Sequence, residues 1–317
     1  MTDASSTDAI DRWISSFSAA PRCALGAGAI AIGLVAAFGV ARWLLPAPAP
    51  APVPAPDAAA PAAPPDPPPA TGAPLVERLL RFRRRLAREL PRSFRFELPL
   101  VLVVVFLGAA VASAAALGLD PKSGAPLPVR AQVLQIGWVA LAIAALLWIW
   151  TLRFGDGLAD LGFTARRLGA TLIGAVAFYA AWFPVQFGAT ALESGVCELL
   201  QRAPQEQSLV LALASQPGLL RDPWVVACLA LAGPVYEEMV FRGVLLRWLL
   251  AVAPAGVAVA LDAALFCAFH NGGFSTVFVL GVALAWLMAR TRSIAAPICF
   301  HVVHNGLTLL LIARAPG

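Results

Sequence analysis

An all-α, polytopic transmembrane helix bundle of about eight spans around a polar intramembrane cavity is the fold class this sequence predicts. Three observations carry that expectation. Mean hydropathy is +0.78, and with 60% hydrophobic and only 13% charged residues the composition lies outside that of soluble globular domains. Apolar runs long enough to cross a bilayer recur along the chain. The few charged and imidazole side chains within those runs are concentrated toward the C-terminal end, where all 3 histidines fall.

In chain order, residues 1–45 read as an N-terminal tail and membrane anchor. The run 24–45 is long enough to span, with Arg42 and Trp43 at its end, where snorkelling and interfacial anchoring place such residues. A cleaved signal peptide fits less well, because the preceding stretch contains Asp3, Asp8 and Asp11 and lacks a strongly positive start. Residues 46–74 are almost pure Pro and Ala, with thirteen prolines, a composition that buries no core and favours polyproline II. At ~3.1 Å per residue this linker reaches on the order of 90 Å, so the first helix is expected to be loosely tethered. Within residues 75–97, Leu75, Leu79, Phe82, Leu86 and Leu90 recur at helical spacing among arginines, the pattern of a basic amphipathic helix at the membrane interface. Residues 98–317 form the core domain, with apolar runs at about 98–119, 132–152, 168–191, 224–250, 256–272, 274–290 and 293–313. Gly233-Pro234 is expected to break the 224–250 run.

Charge sets the orientation. Residues 76–97 carry eight arginines and three glutamates, which is the whole formal charge of +5. Such a block beside a span belongs on the cytoplasmic face, and counting spans from it puts both termini on the outer side. No nucleic-acid-binding fold accompanies the arginines, so the lipid bilayer is the expected partner and nucleic acid is not. The cysteines are scattered, form no CxxC pair and read as small core residues. These features predict a multi-pass integral membrane protein, and the membrane expected for it is a bacterial inner membrane.

The chemistry is read from three polar clusters. Glu237-Glu238-Met-Val-Phe-Arg242 places two carboxylates and a guanidinium in lipid-like sequence, where each buried charge costs at least ~2.5 kcal/mol. Glu238 and Arg242, four apart on a helix, form the expected structural ion pair. Glu237 points about 100° away and is left for proton transfer. Phe266-Cys-Ala-Phe-His270 brings an imidazole to the end of the next run. His301 and Asn305, four apart on the last run, share a face and suit either a metal-bound water or an oxyanion. His304 is expected to serve packing or gating. Together the clusters suit water activation, with Glu237 taking a proton, His270 orienting or sharing it, and His301 and Asn305 stabilising a tetrahedral oxyanion.

Glu-Glu-x-x-x-Arg at 237–242, Phe-x-x-x-His at 266–270 and His-x-x-x-Asn at 301–305, in that order and on spans, resemble the CAAX protease and bacteriocin-processing family of intramembrane endopeptidases, which includes the Ras-converting CAAX endopeptidase. The resemblance covers roughly residues 150–313. It implies catalytic Glu237, His270, His301 and Asn305, a structural Arg242, and a membrane-associated protein or peptide as substrate. The family is commonly called a metalloprotease. Glu237, His270 and His301 could form a His₂Glu zinc site with an open position, while a direct Glu–His mechanism needs no metal, so one zinc ion or none stay open alternatives. Oligomeric state is unread. A non-proteolytic membrane scaffold or bacteriocin-immunity-type binding protein would need only the Glu238–Arg242 pair, and a proton-coupled transporter should show broken helices in both halves. The spare carboxylate at Glu237 favours the hydrolase.

Overall fold

The computed structural model describes residues 19–45, 133, 136–145, 162–163, 168–204, 207–270 and 272–314. Among them the regular structure is helical and no strand occurs. The helices are α1 (Ala19–Leu44), α2 (Ile136–Ala145), α3 (Leu168–Leu199), α4 (Ser208–Ser215), α5 (Pro223–Val252), α6 (Ala255–Ala268), α7 (Phe274–Thr291) and α8 (Ala295–Arg314). The Pro/Ala linker, the basic amphipathic segment and the run at 98–119 lie outside the described residues.

Five described helices are long and apolar enough to cross a membrane: α1, α3, α5, α7 and α8. The expected span at 256–272 is shorter in the structure. α6 has 14 residues, or ~21 Å at 1.5 Å per residue, against a hydrocarbon core of ~30 Å. Beyond its end, Gly272 and Gly273 adopt φ of 99° and 62°, left-handed values that glycine adopts without a Cβ penalty, and the chain turns into α7. At the other end of the site, Asp222 caps α5 by accepting a hydrogen bond from Trp224 N at 2.9 Å, with Pro223 at the first helical position, where its missing donor costs nothing.

α1 is not a loosely held anchor. A Cβ built on Gly26 would meet Gly188 O at 2.6 Å and Leu192 N at 2.8 Å, and one on Gly33 would meet Val185 N at 2.7 Å. Only glycine permits this approach of α1 to α3, the small-residue packing typical of helix pairs in lipid. Arg22 also pairs with Glu198 across the two helices at 2.5 Å.

One apolar core joins α1, α3 and α5 to α8, and includes Ala37, Phe178, Trp182, Phe241, Phe266, Leu284 and Phe300. Phe178 stacks on Trp286 at 5.2 Å and on Trp182 at 5.7 Å, while Tyr179 meets Phe300 edge-on at 5.0 Å. Aromatic pairs of this kind each contribute about 0.5–1.5 kcal/mol beyond their burial. They fix α3, α7 and α8 against one another, and with them the walls of the site.

Candidate active site

α5 continues through Pro234 instead of breaking there. Two π-helical stretches, Cys228–Ala232 and Met239–Leu245, bracket the α-helical turn Gly233–Glu238. A proline within an α-helix removes one bond and pushes its ring at the carbonyl four residues back. The widened turn before Pro234 gives that ring room, so the defect is absorbed in one 30-residue helix. The carboxylates lie directly after it, where backbone irregularity in a membrane is tolerated because it faces protein.

Glu238 and Arg242 are both fully buried and in contact at 3.1 Å, as their four-residue spacing predicts. The guanidinium has further partners. Its Nη2 donates to Gly281 O on α7 at 3.1 Å, and its plane lies over the Phe266 ring at 4.4 Å. Asp262 on α6, also fully buried, brings Oδ2 to 3.3 Å from Arg242 Nε. That contact is ionic and not an aligned hydrogen bond, since neither atom has a hydrogen-bond partner. Arg242 thus serves two carboxylates and ties α5, α6 and α7 together. Asp262 is the functional-cluster residue that the motifs missed. Its signal was available: it is the sole charged residue in the run 256–272.

His301 connects this closed cluster to the open one. Its Nδ1 lies 2.8 Å from Glu238 Oε1, and its Nε2 lies 3.8 Å from Glu237 Oε2. Glu238 Oε1 already accepts from Arg242, so Nδ1 is the donor and carries the proton. His270 shows the same tautomer by a different route, with Nδ1 2.8 Å from Phe266 O. A carbonyl only accepts, so in the neutral form of either ring Nε2 is the nitrogen left with a lone pair.

Glu237, His270, His301, His304 and Asn305 all line one cavity of about 330 Å³. The structure therefore brings together the four residues singled out from the sequence, with His304 beside them. Glu237 keeps 18% of its side chain exposed, whereas Glu238 keeps none. Asn305 donates from Nδ2 to Leu229 O at 3.0 Å, which orients the amide and leaves its second N–H unused there. His304 Nδ1 approaches the Tyr179 hydroxyl at 3.5 Å. Although Glu237, His270 and His301 share the cavity, no group of three His, Cys, Asp or Glu side chains among the described residues is arranged to hold a metal ion. The cysteines are unpaired, with Cys228 and Cys267 buried as expected of small core residues.

A buried charge cluster beside a polar cavity, on long apolar helices, defines this chain as an integral multi-pass membrane protein with a site inside the bundle. Residues 219–307 match the family model described as Rce1-like, Type II CAAX prenyl endopeptidase Rce1-like. The matched segment contains all three motifs, and at the level of that family it supports a CAAX-type intramembrane protease. No curated protein and no solved structure matches the chain.

Proposed function

We propose that this chain is an intramembrane endopeptidase that hydrolyses a peptide bond of a membrane-associated protein or peptide, with Glu237 as the general base. The observation that carries this reading is the convergence of Glu237, His270, His301 and Asn305 on one cavity, in a segment matching a prenyl endopeptidase family. Glu237 takes a proton from water while His270, through its Nε2, holds that water. The oxygen adds to the carbonyl carbon, and the oxyanion is met by the Nδ2 proton of Asn305 that is not committed to Leu229 O. The proton on Glu237 lies one 3.8 Å contact from His301 Nε2. Passing to that nitrogen, it makes the ring a donor to the oxyanion, and from there it reaches the leaving amine as the C–N bond breaks. Glu238 holds His301 in the orientation this relay needs. As the location we propose a bacterial inner membrane, with the basic block 76–97 on the cytoplasmic side.

The test is cleavage of a library of membrane-anchored peptides by the reconstituted protein and by Glu237→Ala. Cleavage by the first and not the second is expected, and equal turnover by both would overturn the assignment.

A further inference from the structure

α3 brings a second carboxylate to the same cavity. Glu193 lines it together with Thr190, Ser194, Gln207 and Thr276. This wall adjoins the turn after His270, since a Cβ on Gly273 would meet Gln207 Cγ at 3.3 Å. Glu193 Oε2 accepts a hydrogen bond from Ser275 N at 3.2 Å and another from Ser275 Oγ. Ser275 is the second residue of α7, so one of that helix's orphan N–H groups is satisfied, and the positive end of its dipole favours the anion. The carboxylate is thereby fixed in direction instead of swinging freely.

Both donors fall on Oε2. Oε1 receives no hydrogen bond among the described contacts, and a carboxylate oxygen accepts up to two. Of the described residues lining the cavity, Glu193 and Glu237 are the charged ones, and none is Lys or Arg. A peptide segment entering it meets two negative groups and no side-chain cation. A free carboxylate or an acidic side chain there would be repelled, while a cation would find an unoccupied acceptor in a partly dehydrated space, where such pairs are strongest.

Resting on the endopeptidase reading, we propose that Glu193 is a specificity-determining residue that receives a Lys or Arg side chain of the substrate segment. The same Glu193 fastens the start of α7 through Ser275, so a capping role alone is the alternative that the experiment must separate.

The full-length protein in lipid nanodiscs is offered lipid-anchored peptides that differ at one scanned position, occupied by Lys, Gln or Glu. Binding is read by fluorescence anisotropy and cleavage by kcat/KM. At one position the Lys peptide is expected to exceed the Glu peptide by on the order of 10-fold in both readouts. Glu193→Gln should flatten that ratio and Glu193→Lys reverse it. The isosteric Glu193→Gln carries the test if the charge reversal does not fold. A wild type without charge preference, a preference that survives both substitutions, or a loss of thermal stability with the ratio intact overturns the proposal. Charge-selective binding that needs Glu193, without any cleavage, would sink the hydrolase reading and leave this one standing. Cleavage that needs Glu237 but ignores peptide charge would do the reverse.

Discussion

Glu238 has no exposed side-chain surface and is held by Arg242 and His301, whereas its neighbour Glu237 keeps 18% of its side chain open to a cavity and meets one imidazole at 3.8 Å. The first belongs to a closed cluster with Arg242 and Asp262, all without solvent contact. The second belongs to an open cluster with His270 and Asn305. Identical side chains one residue apart thus fall under different physics. In the closed cluster two carboxylates share one guanidinium and the loss of a member is felt in stability, because removing it strands the others in a low dielectric. In the open cluster a charge with spare acceptor capacity can exchange protons, and its loss is felt in rate.

That division can be broken by substitutions on either side of it. Arg242→Met leaves Glu238 and Asp262 without their cation, and a loss of about 5 kcal/mol of stability is expected, the upper end for stripping a buried pair. Thermal unfolding in detergent measures it, and a variant as stable as wild type would show that the cluster is not closed. Glu237→Gln should do the opposite, lowering peptide turnover on the order of 10³-fold, about 4 kcal/mol of barrier, with an unchanged melting temperature.

Gly188→Leu is a control remote from both clusters. Its Cβ would meet Ile30 N at 2.9 Å, and separation of α1 from α3 should cost about 3 kcal/mol of stability. Unaltered melting would mean that α1 is dispensable to the core. Asp262→Asn keeps the shape and removes one charge. Stability should fall by about 1–2 kcal/mol, and turnover should drop further than the melting temperature explains if Asp262 also orients His301 through Arg242 and Glu238. The smallest effect is expected for Tyr179→Phe, which removes a 3.5 Å approach to His304. A change in turnover equivalent to less than about 1 kcal/mol is predicted, and a large one would move His304 into the reacting set.

The Glu238–Arg242 contact was legible in the sequence because both residues sit on one helix, where a spacing of four is a distance. His301 beside Asn305 was legible for the same reason. The role of Asp262 is not legible in this way because its partner lies on another helix, and no periodicity in a single run reports which helix will face it. The tautomers of His270 and His301 were invisible for a related reason, being set by Phe266 O and Glu238 Oε1, and a proton's position depends on what the other ring nitrogen meets. Gly26, Gly33 and Gly188 could be seen as small residues in apolar runs, but nothing in the composition paired α1 with α3. The Pro/Ala stretch between them even suggested independence. Glu193 gave no signal at all, since a glutamate near the end of an apolar run reads equally well as an interfacial residue.

The two π-helical stretches of α5 also restrain its length. Each winds more residues into a turn than an α-helix does, so the count between Glu237 and Arg242 is matched to the turn that holds them. Dropping one residue after Glu238 would rotate everything downstream by about 100°. That rotation would carry Arg242 away from Gly281 and Asp262 at once. An exchange of one apolar side chain for another at Val240 is a matter of local fit. A chain shortened by a single residue there would uncouple three helices, so this segment should vary in composition far more readily than in length.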